Sequence, residues 1–241
     1  MNILLSCVGR RNYLVEYFRD ELRGNGFVYG SDEASTAPAL ESCDKSFIVP
    51  SSNSKNYIDK LINICIDNNI KVIIPLNDLE LLTLAINKKL FLDNGIKVIV
   101  SDSKIIEICN DKWKTVKLAK SIGVPTPNSF QNPGQAIESI KQDETSFPLI
   151  VKPRLGSASF GLQVVYDVDQ LFVAFENCKY LISKSFFANF AEPNSSVIIQ
   201  SFLEGFEYGL DIFNDLFGKY HGSICKKKLR MRGGETDKAT T

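Results

Sequence analysis

Histidine is almost absent from this sequence of 241 residues, which contains only His221. A single histidine excludes a two-histidine metal site and leaves any Ser-His-Asp triad or histidine proton shuttle dependent on that one residue. Because His221 lies in the alternating stretch 219–224, which predicts a strand, we interpret it as a structural or solvent-facing side chain rather than a catalytic one.

Net charge, long apolar runs and paired cysteine motifs are absent as well. Lysine plus arginine and aspartate plus glutamate each total 28, which argues against a dedicated nucleic-acid binder but leaves room for a local basic site. No apolar run approaches the ~20 residues of a membrane span. The six cysteines lack CxxC spacing, as expected for free thiols in a reducing compartment, and the apolar N-terminus is too short for a signal peptide. We therefore expect a cytoplasmic protein without nucleic-acid or membrane partners.

Short apolar runs alternate with helical patterns over the first hundred residues. Strands are predicted at 3–6, 27–30, 47–49, 72–75 and 98–100, and helices from a cap at Asn12, around 58–66 and over 79–89. This alternation predicts a Rossmann-like parallel sheet of about five strands, covered on both faces.

Candidate ligand-binding residues of this half follow the predicted strands. The first turn offers only Gly9 where a dinucleotide site would carry GxGxxG, so we do not favour Asp32 as a ribose-binding acid. Arg10 and Arg11 at a strand-to-helix turn suit an anionic ligand, although a solvated basic turn explains them equally well. With Asp78 and Glu80 they are the predicted substrate residues, and their mixed charge suits a zwitterion such as an amino acid.

The pattern changes after about residue 101, and we place a domain boundary near residue 105. Asp111-Lys112 begins a helix, and Asn132-Pro133 caps a second one. Strands are predicted at 147–153, 162–166, 197–203, 207–213 and 219–229, with a helix over 168–175. The predicted domains are 1–104 and 105–241.

A strand followed by a glycine- and serine-rich loop carries the clearest chemical signal. Lys152 lies near the end of an apolar strand, and the next loop contains Gly156, Ser157, Ser159 and Gly161. Backbone amides of such a loop can approach phosphate oxygens, and the lysine adds a positive charge. By itself the pattern is also compatible with a surface hairpin.

Two further elements favour a nucleotide site. Lys112 precedes Lys152 by 40 residues. Gln200 follows Lys152 by 48 residues and lies in the predicted strand 197–203. The backbone of Ser201 and Leu203 can offer a carbonyl and an amide to an adenine edge, and Glu207 can accept the ribose hydroxyls. Together these elements predict an ATP site.

At this point the sequence resembles the ATP-grasp superfamily, specifically its carbamoyl-phosphate-synthase-like members. The resemblance rests on stretches 110–127, 151–159 and 197–211, and the loops at 5–11 and 77–81 resemble those of a pre-ATP-grasp domain. It implies an α/β and α+β protein, in which a Rossmann-like parallel-sheet pre-ATP-grasp domain precedes an ATP-grasp domain.

The resemblance also implies an activity and roles for individual residues. Lys112 and Lys152 would bind ATP phosphates beneath a mobile flap at 157–161, Ser201 and Leu203 would contact adenine, and Glu207 would hold the ribose. Such enzymes phosphorylate a small-molecule carboxylate to an acylphosphate, which an amine, thiol or other nucleophile then attacks.

The end of the sequence departs from the family pattern. Residues 226–238 resemble the segment before the family's magnesium-binding strands, so we expect an ATP-grasp fold truncated at its C-terminal end, with no metal ligands here and Mg²⁺ in a longer parent. The alternatives are a catalytically incomplete ATP-binding module with a regulatory or assembly role, and a nucleotide-independent Rossmann-like binding protein. A homo-oligomer formed through the first domain is a further expectation.

A basic stretch near this end has two interpretations. Alternation places Lys226, Lys228, Arg230 and Arg232 on one face, as a site for the γ-phosphate or an acidic substrate, or as a solvated strand edge. We predict Arg232 as catalytic and Glu235 as a residue that orients the substrate.

Overall fold

The computed structural model describes residues 1–185, 188, 195–232 and 235–241, with the side chain of Glu235 excluded. It divides into two units, Met1–Glu107 and Ile108–Thr241. The domain limits inferred from the sequence stay a prediction. Within the described ranges, no helix is long and apolar enough to cross a membrane.

The first unit is built on a parallel sheet, as the sequence predicts. Its strand order is β3-β2-β1-β4-β5, with β1 at the centre. The strands are β1 (Asn2–Ser6), β2 (Val28–Asp32), β3 (Lys45–Ile48), β4 (Ile70–Pro75) and β5 (Lys97–Val98).

Helices cover both faces of this sheet because the strand side chains alternate. Leu4 points into a cluster with Tyr57 and Phe91, whereas Ile3 and Leu5 point into a second cluster on the opposite face. The helices are α1 (Asn12–Leu22), α2 (Tyr57–Asp67), α3 (Asp78–Ile86) and α4 (Lys88–Asp93), with a 3₁₀ turn at Pro38–Leu40. A further helix, α5 (Ser103–Asn110), contains the boundary between the two units.

Two local predictions in this unit are wrong. The helix predicted over 79–89 is divided into α3 and α4 at Asn87, whose side chain donates a hydrogen bond of 2.8 Å to the Thr83 carbonyl and so ends α3. Asn12 was predicted to cap α1 but is its first residue; Arg11 occupies the cap position and provides no side-chain hydrogen bond.

The second unit begins with helices that pack on an antiparallel sheet of order β6-β9-β7-β8. Leu149 and Val151 of the sheet meet Leu171 and Cys178 of α8 in one buried cluster. Since this apolar face continues to Ile182, α8 is longer than the predicted helix. The elements are α6 (Lys112–Ser121), β6 (Ser129–Phe130), α7 (Pro133–Lys141), β7 (Leu149–Pro153), β8 (Gln163–Val165), α8 (Val168–Ser183) and β9 (Val197–Ser201).

A second antiparallel sheet of this unit contains three strands in the order β10-β11-β12. They are β10 (Tyr208–Asn214), β11 (Tyr220–Arg232) and β12 (Glu235–Thr240). The sequence did not predict β12, which pairs along β11. The basic strand β11 is therefore central, so its interpretation as a strand edge is wrong, although Arg230 and Arg232 are exposed to solvent.

Candidate functional site

Two lysines from different elements of the second unit lie close enough for the charge of one to affect the pKa of the other. Lys152 faces away from the core because Leu149, Val151 and Pro153 of β7 take the buried face. Lys112 is the first residue of α6. Burial, followed by repulsion from Lys152, lowers the pKa of Lys112 to about 8, and burial lowers the pKa of Lys152 as well. In the described part of the chain, no ion pair neutralises either lysine.

The start of α6 is anchored by Asp111. Its Oδ1 accepts hydrogen bonds from the amides of Trp113 and Lys114, which caps the helix. The same carboxylate receives Nε and Nη2 of Arg154 at 2.7 and 2.6 Å. Burial opposes ionisation, but these hydrogen bonds prevail and hold the pKa of Asp111 below its ordinary value.

The predicted phosphate loop follows β7 and contacts Lys112. Nζ of Lys112 donates a hydrogen bond of 2.7 Å to the Gly156 carbonyl. Ser157 to Phe160 form a turn, closed by a 3.2 Å hydrogen bond from the Phe160 amide to the Ser157 carbonyl. Both central residues have positive φ, Ala158 at 54° and Ser159 at 56°, which is costly for residues other than glycine. Ser157 and Ser159 are exposed, as a phosphate-binding role requires.

Gln200 and Ser201 lie where β9 ends, but both make hydrogen bonds to neighbouring elements. Nε2 of the buried Gln200 donates to Oγ of Ser129 at 2.8 Å, so this side chain connects β9 to β6. The Ser201 amide donates to the carbonyl of Asn128 at 3.0 Å. An adenine contact from Ser201 would therefore use its carbonyl, with the exposed Leu203 supplying the amide.

Carboxylates from β10, from the residue just before β10 and from β12 pair with three basic side chains of β11. The ion pairs are Lys226–Asp211, Lys228–Glu207 at 2.5 Å and Arg230–Asp237 at 3.3 Å. The predicted ribose-binding residue Glu207 is exposed and already forms an ion pair with Lys228. Arg232 is exposed and stands opposite Glu235 in the register of β11 and β12, but the side chain of Glu235 lies outside the described residues. The roles of Arg232 and Glu235 stay predictions.

The four predicted substrate residues of the first unit differ in exposure. They follow β1 and β4, neighbouring strands whose carboxyl ends form the usual ligand edge of such a sheet. Arg10 and Asp78 are exposed, and Nη1 of Arg11 donates to the Cys7 carbonyl at 3.4 Å.

Glu80 departs from the expectation that it lines an open acceptor site, because it is fully buried. Oε1 accepts the Leu76 amide at 3.1 Å and Oε2 accepts the hydroxyl of Tyr57 at 2.7 Å, so the third residue of α3 bends back toward the helix start. Burial raises the pKa of Glu80. This geometry gives Glu80 a structural role.

Sequence reasoning did not identify Arg154 and Tyr57. Their partners, Asp111 and Glu80, are 43 and 23 residues away, and no local pattern reports such pairs. Asp32, not favoured as a ribose acid, accepts the amides of Gly9 and Ala34 at 2.9 Å each and holds the first loop.

Comparison with protein families agrees with this arrangement of two units. Residues 3–99 match the family model described as PylC-like, N-terminal domain, and residues 145–233 match the model of the ATP-grasp domain. The second unit therefore contains an ATP-grasp domain. The superfamily and the fold class predicted from the sequence are confirmed.

Relatives of this ATP-grasp chain include several enzymes of known name. A 112-residue stretch is 31% identical to a pyruvate carboxylase component of Methanothermobacter thermautotrophicus, covering 46% of this chain and 22% of the relative. D-alanine–D-alanine ligase of Bacillus anthracis is 30% identical over 44% of this chain and 32% of its own length. Carbamoyl-phosphate synthase of Methanobrevibacter smithii is 26% identical over 74% of this chain and 47% of its own length. The chain thus spans less than half the length of these relatives.

A solved structure shares the fold across almost the whole chain. The biotin carboxylase domain of Hydrogenobacter thermophilus 2-oxoglutarate carboxylase, crystallised with MgADP, ADP and bicarbonate, superposes with a TM-score of 0.69 at 18% identity. The superposition covers 98% of this chain and 51% of that one.

Proposed function

We propose that the second unit binds ATP and that the protein acts as an ATP-dependent carboxylate ligase. The observation that carries the proposal is the pair Lys112 and Lys152. Lys112 and Lys152 are half-buried ammonium groups, Lys152 repels Lys112, and neither forms an ion pair with a described carboxylate, so together they suit an anionic ligand. The loop 156–161 at the same place offers backbone amides to further phosphate oxygens.

The adenosine half of the nucleotide is assigned to the end of β9 and the residues that follow. Leu203 lies beyond the strand and is exposed, and the described backbone contains no acceptor for its amide. With the carbonyl of Ser201 it matches the paired donor and acceptor of an adenine edge. Glu207 offers oxygens to the ribose hydroxyls while Lys228 holds its carboxylate in place.

The proposed reaction transfers a phosphoryl group to a small-molecule carboxylate. A carboxylate oxygen attacks the γ-phosphorus, the bond to the β,γ-bridging oxygen breaks, and ADP leaves. An amine or similar nucleophile then adds to the acyl carbon of the acylphosphate, and phosphate leaves. Lys112 and Lys152 stabilise the negative charge during the first step, so catalysis rests on positioning and charge neutralisation.

Magnesium belongs to this proposal only through the nucleotide. In the ranges that the structure describes, no group of three or more His, Cys, Asp or Glu side chains could hold a metal ion. No step of the proposed reaction is therefore assigned to a metal held by the described residues.

The acceptor side is proposed to lie at Arg10, Arg11 and Asp78 of the first unit. Arginines and an aspartate together suit a zwitterionic substrate such as an amino acid. A screen for phosphate release in which only uncharged compounds were active would contradict this assignment.

We further propose a cytoplasmic location, which the six unpaired cysteines support. A homo-oligomer is also part of the proposal.

The test is calorimetric titration with a non-hydrolysable ATP analogue, with and without magnesium. We expect the wild type to bind and Lys152→Ala to lose most of its affinity, because it removes one of the two phosphate-facing charges. Lys120→Ala is the matched control, since Lys120 is an exposed lysine at the end of α6. Wild-type affinity in Lys152→Ala would overturn the proposed site.

An ATP-binding module without catalysis is the less favoured alternative, because the relatives of this chain include a ligase. One experimental result distinguishes the ligase from the non-catalytic module. If the chain binds the analogue but neither it nor a longer form of the protein releases phosphate with any carboxylate, the module is the better description.

A further inference from the structure

The ion pair between Asp111 and Arg154 connects the two elements that carry the phosphate-facing lysines. Asp111 precedes Lys112 at the start of α6, and Arg154 follows Lys152 by two residues at the end of β7. The guanidinium meets the carboxylate through two hydrogen bonds, of 2.7 and 2.6 Å. The side chain of Asp111 is 7% exposed and that of Arg154 is 17% exposed, so water does little to weaken the pair.

Backbone contacts make Arg154 the meeting point of three elements. Its carbonyl accepts the amide of Lys112 at 3.1 Å, and its own amide donates to the carbonyl of Ser196 at 2.8 Å, next to β9. Nη1 also donates to Oγ of Ser195 at 3.2 Å. The side chain and backbone of Arg154 thus hold α6, β7 and β9 together.

The helix cap does not by itself need this arginine. The two amides that Asp111 caps are satisfied by Oδ1 alone, and any carboxylate rotamer that keeps Oδ1 in place would serve. The paired hydrogen bonds from Arg154 fix the plane of the carboxylate. They thereby fix the orientation of the start of α6 relative to the end of β7. That direction determines how close the ammonium of Lys112 comes to that of Lys152.

We propose that Arg154 is a positioning residue, whose two-pronged pair with Asp111 holds Lys112 beside Lys152 and prepares both to receive the phosphates of ATP. The part that concerns ATP rests on the proposed function; the part that concerns the two lysines does not. A lysine at this position would keep the charge but lose the planar fork.

The first measurement follows the titration of Lys112 and needs no nucleotide. The 241-residue chain is acylated from about pH 6 to about pH 11, and labelling of Lys112 is read by peptide mass spectrometry. The wild-type midpoint is expected at about 8, the pKa of Lys112 set by burial, repulsion from Lys152 and the opposing effects of Asp111 and of Cys178 on α8.

Arg154→Lys is the decisive variant because it retains the positive charge. If the fork positions α6, Lys112 moves away from Lys152 and toward water, and its midpoint rises by roughly one unit or more. Arg230→Lys, which changes an exposed arginine of another ion pair, is the control and should leave the midpoint at the wild-type value. A folded Arg154→Lys chain with an unchanged Lys112 midpoint would overturn the proposal, as would an equal shift in Arg230→Lys.

A second measurement compares ligands that do and do not carry phosphate. For Arg154→Lys we expect about tenfold weaker binding of the ATP analogue and unchanged binding of adenosine, because only the phosphates meet the lysines. Equal losses for both ligands would show a general structural defect and count against positioning. If the wild type binds neither ligand while the Lys112 midpoint still shifts, the proposed ATP function fails and the positioning of Lys112 stands.

Discussion

Lys228 and Glu207 join β11 to the residue preceding β10 through both side chain and backbone. Nζ of Lys228 donates to Oε1 of Glu207 at 2.5 Å, and the Lys228 amide donates to the Glu207 carbonyl at 2.8 Å. The carboxylate is thereby held in one place on an exposed surface, with Oε2 left for another donor. This arrangement suits the proposed ribose contact, for which a fixed acceptor is better than a freely rotating one.

Replacing Glu207 with glutamine should weaken binding of the ATP analogue by about tenfold, the effect of losing one charge-assisted hydrogen bond. Glutamine has one side-chain acceptor, which Lys228 would occupy, so the ribose hydroxyls would meet an NH₂ donor instead. Titration with ATP and with 2′,3′-dideoxy-ATP checks the reason, because the wild type should prefer ATP and the variant should not. Glu204→Gln, a change at a nearby exposed residue, is the control. A variant that keeps the preference for ATP would remove Glu207 from the ribose site.

The sequence predicts the parts of the site that depend on local periodicity. Alternation along β7 is enough to place Lys152 opposite the buried Leu149 and Val151, and a cap signal is enough to place Lys112 at the start of a helix. The parallel sheet of the first unit follows from its alternation of strands and helices in the same way. These features were predicted correctly because neighbours in the chain determine them.

Features that depend on distant pairing could not be predicted. Asp111 and Arg154 are 43 residues apart, and the local sequence around either residue does not indicate that the two form a pair. The charge pattern of β11 predicts a common ligand site, but strand register determines which carboxylates, on β12, on β10 and just before β10, pair with Lys226, Lys228 and Arg230. Glu80 carries a side chain typical of a surface, and its burial is explained by the hydrogen bonds it accepts from the Tyr57 hydroxyl and the Leu76 amide.

Replacing Lys112 with methionine should stabilise the nucleotide-free chain and abolish binding of the ATP analogue. At pH 7 the folded protein holds a charged, partly buried Lys112, so removing it should raise the free energy of unfolding by about 1–2 kcal/mol after allowance for its exposure. Chemical denaturation measures this, with Lys120→Met as the surface control. A less stable Lys112→Met chain would show that burial of this ammonium is not costly.

The pH dependence of the same variant supplies a second check. The folded pKa of Lys112 is about 8, below its ordinary 10.5, so between these values the unfolded chain holds a proton that the folded chain has lost. Wild-type stability relative to Lys112→Met should therefore improve as the pH rises from 8 to 10.5. A difference that stays constant over this window would contradict the lowered pKa.

Replacing Tyr57 with phenylalanine should destabilise the first unit by about 1–3 kcal/mol, because Oε2 of the buried Glu80 loses its hydrogen-bond donor. Glu80 has a raised folded pKa, so its contribution to stability is complete below its ordinary pKa and is lost as the pH rises through the folded value. Loss of the Tyr57 donor raises that pKa further, so the destabilisation should be larger at neutral pH than in acid. The free energy of unfolding, measured at neutral and at acidic pH, tests this prediction. Tyr17→Phe, a change at an exposed tyrosine, is the control. An equal loss at both would mean that Glu80 stays protonated throughout.

Alanine at Gly161 should cost more than alanine at Gly123, although both glycines have positive φ, 64° and 75°. The left-handed backbone costs each substitution about 1–2 kcal/mol. A methyl group at Gly123 meets nothing within 4 Å, whereas at Gly161 it would lie 3.3 Å from Cγ of Pro153, the residue after Lys152. The difference between the two variants in free energy of unfolding therefore reports the close approach of the phosphate loop to β7. Binding of the ATP analogue should fall only in Gly161→Ala, since a shift of Pro153 displaces Lys152, and equal binding by both variants would separate this contact from the nucleotide site.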